Sequence, residues 1–185
     1  MTTSTENVIR QTKNWIDEVV IGLSLCPFAA PVVANSSIKY IVCNGDKTEQ
    51  HLQQLGDIFT GLDNEPDIET SLLIFAKTYK AFDDYLELLH LANLLLEDLG
   101  YCGIYQLASF HPDYRFADSA ENDASNFSNR SPFPMLHTLR ESSVEKAVSG
   151  YADIEQLPQI NIEKLRQIGS EALQQTLDHI QQENK

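Results

Sequence analysis

TSLLIF, residues 70–75, is a short continuous apolar run, the pattern of a strand buried on both faces. Such a strand belongs inside a sheet covered by helices, so the segments around it decide the fold class. Upstream, IKYIVC (residues 38–43) is β-branched and aromatic and ends in the turn Asn44-Gly45-Asp46. Downstream, GIYQLASF (residues 103–110) reads as a third strand. Residues 47–62 place Leu52, Leu55, Phe59 and Leu62 on one helical side, and residues 82–99 form a strongly apolar helix closed by Gly100. Strand, helix, strand, helix, strand implies parallel pairing through right-handed crossovers. The expected fold is a single α/β domain over residues 1–185, with a small, mostly parallel sheet (a β-α-β-α-β core) flanked by helices.

An N-terminal and a C-terminal helix complete this layout. Residues 5–24 repeat Val8, Trp15, Ile16, Val19 and Leu23 along one apolar stripe. Thr3 and Glu6 fit a capping box, and Pro27 ends the helix at the apolar corner Leu25–Ala29. Residues 161–182 carry Ile162, Leu165, Ile168, Ala172, Leu177 and Ile180, and the polar end QQENK is expected to fray.

The longest stretch without periodicity runs from Ser109 to Glu141, and two of the five histidines and three of the five arginines fall inside it. Long irregular segments in compact domains are commonly functional. In a parallel sheet this loop leaves from the carboxyl edge, where ligands of open α/β sheets bind. Pro134 suits the first turn of a helix to about Ser149, which ends the loop. Phe110, Tyr114, Phe116, Phe127 and Phe133 give it apolar anchors, so it is expected to pack against that edge with His111 and Arg130 lining one pocket.

The charge of −14 and the lack of a basic cluster argue against nucleic acid and anionic membrane as partners. No apolar run reaches the roughly 20 residues of a membrane span. MTTSTENVIR lacks the marks of a secretory signal, and Cys26, Cys43 and Cys102 form no CxxC pair. A reduced, cytoplasmic protein is expected.

Several residues in the loop suit chemistry. Arg115, Arg130 and Arg140 offer planar forks matched to carboxylate or phosphate, with Asn129 and Ser131 beside Arg130 as further ligand contacts. Alternatively, each arginine pairs with a nearby acid and pins the loop. His111 and His137 titrate near neutrality and suit general acid–base catalysis, with Asp113 or Glu141 to orient them. His137 and Glu141 are four apart, one face of the expected helix, and with His111 and Asp113 they make an alternative metal set. Cys26 is a possible nucleophile only if another segment lowers its pKa; otherwise it is inert core. GxSxG, GxGxxG and GxxxxGK[ST] motifs are absent, so the sequence names no cofactor.

VIGLSLCPFA (residues 20–29), LASFHPDYRF (107–116) and NRSPFPMLHTLRE (129–141) resemble a bacterial family, domain of unknown function 1415. The likeness covers nearly the whole chain and fits the α/β layout. It implies no reaction, cofactor or partner, so no catalytic residue is carried over from it. Two readings remain. One is an enzyme or degenerate enzyme acting on a small phosphate- or carboxylate-bearing metabolite. The other is a non-catalytic ligand- or metal-binding module, or a protein-interaction domain, built from the same residues.

Overall fold

In the computed structural model, which describes residues 4–150 and 154–182, the strands are β1 (Ile38–Val42), β2 (Thr70–Ile74), β3 (Tyr105–Phe110) and β4 (Met135–Arg140). They lie in the order β1-β2-β4-β3. β1 pairs parallel with β2, whereas β4 is antiparallel to both β2 and β3. The sheet is therefore mixed, not mostly parallel. Two antiparallel steps bring β3 back to the direction of β1 and β2, so all three end on one carboxyl edge. That edge carries the turn after β1, the β2 exit and the long loop.

The correction comes from residues 135–140. MLHTLR follows Pro134 and consists largely of residues that tolerate a helix, yet it fills the place between β2 and β3. Its alternate residues feed both cores, Leu136 on one face and Met135 on the other. A strand packed on both faces lacks a polar side and loses the alternation that marks half-buried strands. The helix begins only at Glu141 and ends at Ser149, so His137 and Glu141 do not share a helical face.

Helices cover the sheet on both sides. α1 (Thr5–Trp15) passes directly into a π-helical segment, Ile16–Ile21. Ser4 caps α1 by accepting from the Asn7 backbone N–H at 3.3 Å; the expected Thr3 cap and the frayed end from residue 183 lie outside the described residues. A short α2 (Ala29–Ala34) follows the Cys26-Pro27 corner. α3 (Thr48–Asn64) and α4 (Phe82–Asp98) pack Leu55, Phe59, Leu62, Leu88 and Leu96 against one face of the sheet. α1, the π segment, α6 (Leu157–Ile168) and α7 (Ser170–Gln182) pack Val8, Trp15, Val19, Leu165, Leu173 and Leu177 against the other; α5 (Glu141–Ser149) follows β4. The expected single C-terminal helix is thus two. Gly169, at φ 88° and ψ 148°, breaks it in a conformation that a side chain rarely adopts. Among the described residues no helix is long and apolar enough to cross a membrane.

Candidate functional site

The loop proper spans residues 111–134, seven short of the expected end because β4 begins at Met135 and leads straight into α5. Contacts from every layer tie it down. Tyr85 on α4 donates its hydroxyl to Met135 O at 2.7 Å and accepts from Phe110 N at 3.2 Å, joining the end of β3 to the start of β4. Burial pushes the Tyr85 pKa up, so the hydroxyl keeps its proton. The Trp15 indole donates to Arg130 O at 3.0 Å and meets the Phe110 ring edge-on at 5.1 Å. Asp123 caps the 3-10 turn Ala124–Ser128 and pairs with Arg166 of α6 at 2.7 Å; the arginine and the Ser125 N–H hold its carboxyl well below the usual range. Gln181 of α7 donates to Pro132 O at 3.0 Å.

His111 is fully buried, and both ring nitrogens are engaged. The Asp113 backbone N–H donates to Nδ1 at 2.9 Å, which leaves the proton on Nε2 to bond Tyr79 O at 2.9 Å. The ring is therefore neutral, and burial lowers its pKa. Asp113 orients the histidine through its amide; its own side chain is exposed. His111 does not line a pocket with Arg130.

His137 sits mid-strand in β4, opposite Leu72 and Ala108. The single Thr70 hydroxyl proton goes to Thr138 O at 2.5 Å, so the 2.5 Å contact between Thr70 Oγ1 and His137 must be donated by Nε2–H. Burial pushes the His137 pKa down to about 4, and the ring is neutral at neutral pH.

The three arginines lie apart. Arg140 faces Tyr105 at the beginning of β3, on the amino edge. Its guanidinium bonds Ile68 O, Leu62 O and Glu65 O and the Tyr105 hydroxyl, closing the carboxyl end of α3. Because β4 separates the two edges by about 17 Å, Arg140 and Arg130 cannot grip one small anion together. Arg115 is exposed on the loop. Arg130 stacks over the Phe127 ring at 4.6 Å and donates from Nε to Tyr114 O at 3.2 Å and from Nη2 to Glu121 O at 2.8 Å. Nη1 has no hydrogen-bond partner among the described residues. Asn129 and Ser131 serve the backbone, bonding Ser109 O at 3.0 Å and Phe133 O at 2.6 Å.

Arg130 and Phe127 form one wall of an open groove of about 430 Å³, and α7 forms the other through Glu171, Gln174, Gln175 and Asp178. None of these α7 residues stands out in the sequence, because a polar helix face is ordinarily just solvated. The metal set does not assemble: His111 and Glu141 lie at opposite ends of the sheet, and no group of three or more His, Cys, Asp or Glu among the described residues could hold an ion. Cys26 is partly exposed and its thiol touches no polar partner among the described residues. Lys164 reaches the neighbouring segment but bonds Leu23 O at 2.7 Å.

A second polar cluster, unforeseen from sequence, lies under the β1 and β2 exits. Tyr79, held at φ 54°, contacts His51 Nδ1 at 2.6 Å through its hydroxyl and donates to Thr48 at 3.3 Å. Nearby Cys43 contacts Gln54 Oε1 at 2.7 Å, and burial pushes its thiol up to about 11, so it is no nucleophile at neutral pH.

The family model described as "Protein of unknown function (DUF1415)" matches residues 7–175. No curated protein and no solved structure matches the chain.

Proposed function

The chain belongs to the DUF1415 family, and from that premise we propose that it is a ligand-binding protein that holds the anionic group of a small carboxylate- or phosphate-bearing metabolite at Arg130. The observation that carries this reading is the state of the guanidinium. Two of its nitrogens are fixed by loop carbonyls and its plane is stacked on Phe127, while Nη1 has no hydrogen-bond partner among the described residues and the side chain lines a groove of about 430 Å³. A donor fixed before the ligand arrives loses little freedom on binding. Burial lowers the Arg130 pKa, but an arginine stays charged at neutral pH.

Binding without catalysis is favoured over acid–base chemistry by the histidines. His111 has no free lone pair, and His137 lies within the sheet with its Nε2 proton committed to Thr70. An enzyme would have to release one of them. The free cysteines Cys26, Cys43 and Cys102 support a reducing, cytoplasmic setting.

Calorimetric titration of the protein with inorganic phosphate and with short carboxylates tests the reading. Saturable binding is expected, weakened at least about tenfold by Arg130→Lys, which keeps the charge but loses the fork. Unchanged affinity in that variant, or no saturable heat at all, overturns it. Turnover that disappears in His111→Gln while binding persists would move the reading to an enzyme.

A further inference from the structure

The groove's other wall narrows what it can accept. In SEALQQTLDHI, residues 170–180, the helical period turns Leu173, Leu177 and Ile180 into the core. The same period sets Glu171, Gln174, Gln175 and Asp178 on one face at spacings of three and four. These four face the loop across the groove. Two carboxylates and two amides therefore oppose one guanidinium, in a chain already carrying −14.

Such a field suits a bare anion poorly. A phosphate at Arg130 would meet two fixed negative charges on α7 as well as the general repulsion of the molecule. A ligand bringing its own cation turns that repulsion into a second contact. Glu171 is the free partner: no hydrogen bond or ion pair engages it among the described residues, whereas Asp178 already accepts from Gln174 Nε2 at 2.9 Å.

The walls are also held in place. The Asp123–Arg166 ion pair ties the loop to the end of α6, just before α7 begins, and Gln181 holds Pro132 near the far end of α7. The groove's volume of about 430 Å³ lies at the small-metabolite end of ligand sites.

We propose that this groove takes a small molecule of the amino-acid class, its carboxylate on Arg130 and its ammonium on Glu171. The assignment rests on the anion-binding reading of Arg130 and adds the second charge. Gln174 and Gln175 line the same groove with neutral polar groups.

Titration of the full-length protein with L-lysine and γ-aminobutyrate, against butyrate and inorganic phosphate, tests it. The amine-bearing probes are expected to bind at least about tenfold more tightly than butyrate or phosphate. Glu171→Gln should erase that preference without weakening butyrate, and Arg130→Lys should weaken every probe. Butyrate or phosphate binding as tightly as the amines, or an amine preference that survives Glu171→Gln, overturns the amino-acid assignment while leaving the anion-binding reading standing. No saturable binding by any probe overturns both.

Discussion

His137 shows how burial fixes a side chain's chemistry. Its pKa falls from 6.5 in the open chain to about 4 in the fold, because the imidazolium would be desolvated within the sheet. The unfolded chain then binds more protons than the folded one, so stability falls as pH drops through 6.5 and the loss is complete below about 4. The difference corresponds to about 3 kcal/mol, and His111, lowered for the same reason, adds in the same direction. Urea titrations at pH 7.5 and pH 5 should show the drop, and His137→Gln should reduce it; an equal drop in that variant would assign it to other groups. The arginines give a second test. Arg140→Met removes bonds to three carbonyls and a tyrosine hydroxyl and should cost roughly 2–3 kcal/mol without altering ligand binding. Arg130→Ala removes two loop bonds and should cost roughly 1–2 kcal/mol as well as binding. Sequence reasoning favoured Arg130 among Arg115, Arg130 and Arg140 for ligand contact; that Arg130 lines the groove while Arg140 lies at the opposite edge of the sheet was not legible, because it depends on which end of β4 each occupies.

Among the elements, the helices with one apolar stripe and the strands built on continuous apolar or β-branched runs were legible. α3 and α4 fall within two residues of their expected ends, and β1 and β2 sit where their apolar runs lie. The misreadings share a cause: local propensity is a weak prior, and tertiary placement overrides it. MLHTLR became β4 because the space between β2 and β3 needed a strand. The π segment after Trp15 has no marker in its sequence, since the apolar stripe continues through it. The break between α6 and α7 did have one, a glycine inside the periodic run. At Gly169 an added Cβ would meet nothing within 4 Å, so the constraint is purely the backbone. Gly169→Ala should therefore cost about 1–3 kcal/mol, lowering the thermal midpoint by several degrees. An unchanged midpoint would mean that α6 and α7 can join without the sharp turn. Because Arg166 and Glu171 flank this break, the same substitution should also loosen any ligand held by Glu171.

At the scale of the whole molecule, the question is whether the loop of residues 111–134 is a lid or part of the core. Its attachments reach every layer. His111 bonds the β2–α4 connection, Asn129 bonds β3, Trp15 enters from α1, Arg166 from α6 and Gln181 from α7. Phe127 lies buried in the same cluster as Trp15, Ile74 and Met135, though Phe116 is left exposed at the tip. The expectation that aromatics and prolines order this segment follows from sequence; that Trp15, 115 residues before Arg130, and the C-terminal helices supply its anchors does not, since those contacts are all non-local. A segment fastened in this way should unfold with the sheet rather than before it. The chain has one tryptophan, Trp15, whose indole donates to Arg130 O, so its fluorescence reports on loop docking. Urea unfolding followed by that fluorescence and by far-ultraviolet circular dichroism should give coincident transitions, as a two-state domain requires. A fluorescence change at lower urea than the loss of secondary structure would show that the loop opens on its own. The groove beneath Arg130 would then form and dissolve with it rather than wait preformed for a ligand.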